Sequence, residues 1–171
     1  VSNKRVMSMW MLNRGALLGL LLLTAIPLKA ESLLIQPFVK GSFAEIKQQY
    51  INRPFVLIFW SETCSYCMKE LAMFGEIQQK HPALELVIVA TDPFLDESLV
   101  QDMIERSQLS LKQTWVFAEQ FPERIYADVN KRWRGELPVT HFFSRNNTEI
   151  RHLGIVKQPA VEAWLLAQQI K

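Results

Sequence analysis

The stretch FWSETCSYCMKE, residues 59–70, joins the end of an apolar run to the start of an amphipathic segment. The apolar run FVLIFW, residues 55–60, is rich in β-branched and aromatic residues, which is typical of a strand buried on both faces. After it, apolar residues recur at helical spacing until His81-Pro82. We therefore predict a central strand, followed by a helix from Cys64 to about Lys80 that is capped by Thr63.

The two cysteines of the chain, Cys64 and Cys67, form a C-x-x-C pair at this predicted helix start. Free N–H groups and the helix dipole stabilise a thiolate at such a position. Cys67 follows one turn later on the same side, so it can resolve a mixed disulfide that Cys64 has formed. The pair predicts thiol–disulfide exchange.

Two other interpretations of the cysteine pair stay open. A structural disulfide would staple the helix start, as disulfides do in small exported domains. A metal half-site would need more ligands, because structural zinc takes four. The chain has no second cysteine pair, and its three histidines lack ligand spacing, so we expect no metal site. We predict surface or packing roles for these histidines: His81, His141 and His152.

The length, composition and charge of the chain indicate which classes of protein it can belong to. With 171 residues, 49% of them hydrophobic and 21% charged, the chain is expected to form one globular domain. A formal net charge of +2 gives no argument for nucleic-acid binding, and we expect none. Residues 1–30 hold four basic residues and no acid, which leaves 15 basic and 17 acidic residues, a charge of −2, in residues 31–171.

The first 30 residues predict export. A basic lead precedes a 14-residue apolar stretch at 15–28, which is shorter than the ~20 residues of a bilayer-spanning helix. With the small residue Ala30 behind it, the segment fits a signal peptide cleaved after Ala30; an uncleaved membrane anchor is the alternative. Either places residues 31–171 in the periplasm or another exported compartment, where a cysteine pair can exist as a disulfide.

The rest of the sequence predicts an α/β domain. Further strands are expected at 33–35, 84–90, 115–117, 139–144 and 149–156, the last two forming a hairpin around Asn146-Asn147. Further helices are expected from Ser42 to about Tyr50 with a Ser42/Glu45 capping box, from Asp96 to Ser107, from Pro122, and from Gln158-Pro159. Because the early strands alternate with helices, we predict a mixed central sheet with helices on both faces and a site at the carboxyl ends of strands.

With this organisation, the sequence resembles the thioredoxin superfamily, and within it the exported TlpA/ResA type that includes the cytochrome c maturation thioredoxins. Residues 59–70 are similar to that family's F-W-A-x-W-C-x-x-C-x-x-E, and GELPVTHFF, residues 135–143, to its P-x-T-x-F strand. Gly154 fits the glycine after the final strand. The resemblance covers about residues 40–170 and implies a thioredoxin-like fold in which Pro138 is the cis-proline beside the active-site disulfide.

The sequence departs from this family at four places. Thr63 stands where tryptophan is usual, Ala72 where proline is common, and no proline lies between the cysteines. Ile58 takes the place of the buried aspartate that handles protons in ordinary thioredoxins, which leaves Glu70 as the candidate. A partly buried Glu70 with a raised pKa could accept the proton of Cys67. The alternative is an exposed glutamate paired with Lys69 or close to Lys80.

A substrate groove is expected beside the cysteines. A cis Pro138 would leave the backbone around Leu137 free to pair with an extended client segment, whereas a proline that merely starts a strand is the alternative. Trp60 either contacts substrate or closes the core. We expect Glu62 to be a solvated loop residue, and residues 131–134 to be a solvated loop or a docking patch for an acidic partner.

The resemblance implies an exported thiol–disulfide oxidoreductase without a bound cofactor. In it, Cys64 is the nucleophile, Cys67 resolves, Glu70 moves the proton, and Trp60, Leu137 and Pro138 line the substrate site. It implies a reductant of selected client proteins, with apocytochrome c as one candidate client and a membrane thiol carrier as electron donor. The alternatives are an oxidant or isomerase on the same fold, and a non-enzymatic binding module with a structural disulfide.

Overall fold

Six strands and five helices follow one another in residues 33–111 and 113–170, the part of the chain that the computed structural model describes. The strands are β1 (Leu34–Phe38), β2 (Phe55–Trp60), β3 (Leu86–Ala90), β4 (Gln113–Phe117), β5 (Val139–Phe143) and β6 (Glu149–Leu153). The helices are α1 (Ser42–Gln49), α2 (Ser65–Lys80), α3 (Glu97–Arg106), α4 (Pro122–Val129) and α5 (Gln158–Gln168). Each predicted element is present, with ends that differ by a few residues. The predicted signal peptide lies outside the described residues.

The strands form one mixed sheet in the order β1-β4-β3-β2-β5-β6. The first four strands of this order run parallel to one another, while β5 pairs antiparallel with β2, and β6 antiparallel with β5. All six residues of β2 are buried, and Ile58 faces Ile88 on one neighbour and Thr140 on the other. The mixed sheet predicted from the sequence is confirmed, with β2 at its centre.

Both faces of the sheet are covered by helices. Because successive side chains of a strand point to opposite faces, β2 contributes to two cores. Val56, Ile58 and Trp60 belong to one core with residues of α2, α3 and α5. Phe55, Leu57 and Phe59 belong to the other with residues of α1 and α4. The continuous apolar run is therefore buried because helices pack on each side of it.

Two helix starts differ from the prediction. The residue before α1 is Gly41, at φ 96°, and the Ser42 hydroxyl accepts the Val39 N–H at 3.0 Å, so the predicted capping box is wrong. The cap of α2 is Cys64 rather than Thr63. Thr63 instead donates its backbone N–H to the Ser61 hydroxyl within the preceding loop. Local side-chain hydrogen bonds compete at such positions, so the residue type alone does not decide which one caps.

Helix α2 packs closely against the end of α3. A Cβ atom placed on Gly75 would lie 1.8 Å from the carbonyl oxygen of Ser107, so this contact requires glycine. Asp96 caps α3 as predicted, accepting the Ser98 N–H at 2.8 Å. Within residues 33–111 and 113–170, none of the helices has the length and apolar character needed to cross a bilayer.

Candidate active site

The cysteine pair lies where β2 gives way to α2. Cys64 and Cys67 are joined by a disulfide, with Cys64 as the N-cap residue and Cys67 in the first turn. Cys67 is fully buried, whereas Cys64 is only partly buried. The strand end and the helix start thus leave Cys64 partly exposed and keep Cys67 inside.

The helix start is electrostatically suited to a thiolate at Cys64. The Cys64 Sγ accepts the backbone N–H of Cys67 at 3.1 Å. Helix α2 is 16 residues long, and its first turn contains no acidic residue. A negative charge on Sγ would therefore meet a hydrogen-bond donor and the positive end of the helix dipole, both of which lower a thiol pKa.

Glu70 lies one turn after Cys67 on the same helix and is fully buried, so the exposed, lysine-paired alternative is wrong. One carboxylate oxygen accepts the Thr140 hydroxyl of β5, and the other has no hydrogen-bond partner among the described residues. Burial raises the pKa of Glu70 to about 7, against an opposing effect of the Thr140 hydroxyl and the Val156 N–H. No hydrogen bond of normal geometry joins the Val156 N–H to the Glu70 carboxylate. The Thr140 hydroxyl is therefore the hydrogen-bond donor to this carboxylate among the described residues.

The Leu137–Pro138 peptide bond is cis and directly precedes β5. Leu137 is half-buried and packs against both cores, one of which contains Cys67. The Pro138 carbonyl accepts the N–H of Gly154, a residue at φ 86°. Among the described residues, no hydrogen bond involves the backbone of Leu137. This segment therefore leaves an N–H and a C=O unpaired beside the core that holds the disulfide.

Trp60 is fully buried and belongs to the core, so it does not face the groove expected for a substrate. Of the two roles that the sequence left open for it, the structure favours closing the core. Glu62 is exposed in the loop, as predicted. Trp115, Trp133 and Trp164 are buried as well.

The basic segment at 131–134 forms hydrogen bonds mainly within its own loop. The Arg134 guanidinium donates to the carbonyls of Lys131 and Trp133, at 2.8 and 2.9 Å, and the Trp133 indole donates to the Glu136 carbonyl at 2.9 Å. Lys131 and Arg132 are exposed, and their side chains make no hydrogen bond within the part of the chain that the structure describes. The geometry favours the solvated-loop interpretation over a docking patch.

Asp92 connects the loop before α2 to the loop before α3, and sequence reasoning missed this role. Its carboxylate accepts the Ser61 hydroxyl at 2.8 Å and the Glu62 N–H at 2.9 Å. Parallel strands β2 and β3 end at the same edge of the sheet, so residues just after them meet. The signal present in the sequence was an aspartate two residues after the end of a predicted parallel strand.

The histidines do not take part in the cysteine site. His141 is fully buried among aromatic rings, and its Nδ1 lies 2.7 Å from Glu149. Burial lowers the pKa of His141 in spite of this carboxylate, so the neutral ring with its Nδ1–H donated to Glu149 is favoured. Across the described residues, side chains of the metal-binding types do not form a group of three that could hold an ion.

Comparison with protein-family models finds no match, and no curated protein matches the chain either. Solved structures do match. A secreted disulfide oxidoreductase from Mycobacterium tuberculosis, described as homologous to Escherichia coli DsbE, is 20% identical, with a TM-score of 0.55 over 70% of this chain and 85% of its own. A secreted thiol-disulfide isomerase from Corynebacterium glutamicum is 15% identical, with a TM-score of 0.58 over 71% of this chain and 73% of its own.

A DsbF homologue from Corynebacterium diphtheriae is also similar, at 14% identity and a TM-score of 0.57 over 71% of this chain and 75% of its own. At these identities, the similarity concerns the fold. The fold predicted from the residues around Cys64 and Pro138 is thereby confirmed: the chain has a thioredoxin-like fold.

Proposed function

We propose that the protein is an exported thiol–disulfide oxidoreductase that exchanges disulfides with client proteins through Cys64 and Cys67. The observation that carries this proposal is the asymmetry of the pair. Cys64 is partly exposed and its sulfur accepts an N–H at a helix start, while Cys67 is buried. A structural staple needs neither an accessible sulfur nor a stabilised thiolate.

In the reducing direction, the Cys64 thiolate attacks one sulfur of a client disulfide, and the other client sulfur leaves as a thiolate. Cys67 then attacks the Cys64 sulfur, which releases the client as a dithiol and forms the Cys64–Cys67 disulfide. Two electrons pass from the protein to the client. An external dithiol must return them, and a membrane thiol carrier is the proposed donor.

Glu70 is the proposed proton acceptor for Cys67. The two residues are neighbours on one face of α2, and both are buried. Because the pKa of Glu70 is raised to about 7 by burial, the carboxyl can take up and return a proton near neutral pH. The nearby Thr140 hydroxyl orients one oxygen and leaves the other free for this exchange.

Leu137 and Pro138 are the proposed binding segment for the client backbone. The unpaired N–H and C=O of Leu137 can pair with an extended segment by strand addition. The secreted proteins among the similar structures support export, and the predicted signal peptide or anchor agrees with it. Reduction is the proposed direction, and apocytochrome c is a candidate client; both rest on the sequence resemblance to the cytochrome c maturation thioredoxins.

Trapping tests the exchange. The Cys67→Ala variant of residues 31–171 should accumulate mixed disulfides with a disulfide-containing protein such as oxidised insulin, because the resolving thiol is gone. The Cys64→Ala variant, in which only the buried Cys67 remains, is the matched control and should trap far less. If both variants trapped equally little, the Cys64–Cys67 disulfide would be structural and the protein a binding module.

The direction of electron flow is tested by redox equilibrium against glutathione and dithiothreitol, followed by tryptophan fluorescence. A potential near roughly −250 mV or lower would support a reductant. A value near roughly −120 mV would instead identify an oxidant on the same fold.

A further inference from the structure

A cavity of about 350 Å³ lies between α2 and α3, beside the cysteine pair. Its wall includes residues on both sides of the pair in sequence, Glu62 before Cys64 and Met68 after Cys67. Ser107 contributes at the place where α2 and α3 meet most closely, against Gly75. The cavity does not involve the Leu137–Pro138 segment, so it is distinct from the groove proposed above.

The cavity is mostly apolar inside. Ala72 and Met68 line it from α2, and Leu99 and Met103 from α3. Methionine side chains adapt to the shapes of different apolar partners. Leu99 is 43% exposed and leaves apolar surface uncovered at the cavity.

Trp60 forms the inner wall of the cavity and is fully buried. Its indole Nε1–H is without a hydrogen-bond partner among the described residues. Buried indole donors usually have a partner. Trp60 therefore closes the inner end of the cavity, in keeping with its place in the core.

The charged residues in the cavity wall are Glu62, Asp102 and Arg106, and the two segments that contribute them are acidic in sequence. The loop at 61–63 and the segment at 91–106 together hold six acidic residues and one basic residue, Arg106. That is a formal charge of −5, against −2 for the whole of residues 31–171. Arg106 itself pairs with Asp102 at the cavity, so its charge is already compensated. A cationic segment is therefore attracted to this face, and an acidic one is repelled.

We propose that this cavity binds an apolar side chain of the client, flanked by basic residues, next to the client's reacting cysteine. The inference rests on the proposed exchange activity and adds a sequence preference to it. The apolar side chain enters between Met68, Ala72 and Leu99, while the flanking basic residues face Glu62 and the acids of α3. Backbone contacts with Leu137 are the same for every client sequence. The cavity and the acidic segments would add a preference for clients with an apolar side chain between basic residues.

The experiment measures the second-order rate constants with which the reduced protein reacts with four probes. One is glutathione disulfide. The others are peptides whose single cysteine is joined to glutathione and is followed by Arg-Leu-Lys, Glu-Leu-Glu or Arg-Gly-Lys. Each peptide rate is divided by the glutathione disulfide rate of the same protein. We expect the Arg-Leu-Lys peptide to exceed the Arg-Gly-Lys peptide by about tenfold, the factor for burying one leucine. It should also exceed the Glu-Leu-Glu peptide, because the acidic segments repel the acidic flanks of that peptide.

Two variants locate the preference. Ala72 is an exposed helix residue at the cavity, so Ala72→Phe should fill the cavity and abolish the advantage of leucine over glycine. Ala163→Phe adds the same side chain to an exposed position of α5 and should change no ratio. Glu62→Lys should reduce the advantage of the basic over the acidic peptide, while Glu162→Lys on α5 should not. Circular dichroism confirms that each variant is folded, and Ala72→Leu replaces Ala72→Phe if the larger residue unfolds the protein.

The outcomes separate the two claims. Failure to react with any probe, glutathione disulfide included, would overturn the proposed exchange activity. Reaction with glutathione disulfide but equal peptide ratios would overturn the cavity inference alone. The same is true if both phenylalanine variants keep the leucine preference, because the side chain would then bind elsewhere.

Discussion

The Thr140 hydroxyl donates a hydrogen bond to the buried carboxylate of Glu70. Thr140 lies in β5, two residues after the cis Leu137–Pro138 bond, and Glu70 lies in α2, three residues after Cys67. This bond therefore joins the proposed client-binding segment to the helix that carries the disulfide. It also leaves one carboxylate oxygen unpaired in the core, where ionisation is unfavourable.

Replacing Glu70 by glutamine should flatten the dependence of folding stability on pH. Burial raises the pKa of Glu70 from its usual 4.5 to about 7, so the folded protein binds the proton more tightly than the unfolded chain. The contribution of Glu70 to stability should then be largest below pH 4.5, fall as the pH rises to about 7, and stay level above that. The fall attributable to this group is about 3 kcal/mol.

Urea unfolding of the oxidised protein at pH 5 and pH 8 measures this difference. Glu70→Gln should gain stability over the wild type at pH 8 and little at pH 5. Glu76→Gln on the exposed face of the same helix is the matched control and should follow the wild-type profile. If Glu70→Gln and the wild type lose the same stability between the two values, Glu70 ionises normally and our assignment is wrong.

Replacing Thr140 by valine should raise the pKa of Glu70 further. The Thr140 hydroxyl is the larger of the two influences that lower this pKa, and valine removes it while keeping the shape of the side chain. A ¹³C NMR titration of the Glu70 carboxyl gives the pKa directly. Thr114→Val removes another buried hydroxyl, which donates to the Ile88 carbonyl, and should leave the Glu70 titration unchanged. An unchanged midpoint in Thr140→Val would show that the hydrogen bond does not stabilise the ionised form.

In the reduced protein, iodoacetamide should modify Cys64 at least about tenfold faster than Cys67. Cys64 is partly exposed and its sulfur is placed to be a stabilised thiolate, whereas Cys67 is fully buried. Peptide mass spectrometry after short labelling measures the two rates. Both cysteines should react at similar rates in denaturant, which controls for their intrinsic reactivity. Equal rates in the folded protein would remove the asymmetry on which the proposed function depends.

Replacing Gly75 by alanine should destabilise the protein by roughly 2 kcal/mol or more, because the new methyl group would overlap the Ser107 carbonyl and force α2 away from α3. The free energy of unfolding in urea measures the loss. Glu76→Ala, at the next and exposed position of α2, should have almost no effect. A stable Gly75→Ala protein would show that α2 and α3 can separate at little cost, and the shape of the cavity between them would then be variable.

The sequence alone was sufficient for the architecture. The apolar run at 55–60 is long enough for one strand and has no polar face, so it had to be covered on both sides. The alternation of such runs with amphipathic segments required parallel crossovers, and the two asparagines at 146–147 required a tight return. These features depend on local pattern, which is why the parallel early strands and the final hairpin could be predicted, whereas the strand order β1-β4-β3-β2-β5-β6 came only from the tertiary structure.

The sequence also indicated Cys64, Cys67 and Glu70 as candidate site residues, but it could not decide the environment of each. Burial of Glu70, its bond to Thr140 and the unpaired backbone of Leu137 arise from contacts between segments about 70 residues apart. The same is true of Asp92, whose role depends on β2 and β3 ending at one edge. Trp60 shows the limit most plainly, because its position before the cysteines suited a substrate contact and the packing of α2 and α3 buried it. Residue type and spacing determine which groups are present, but only the tertiary packing sets their exposure, their partners and hence their pKa.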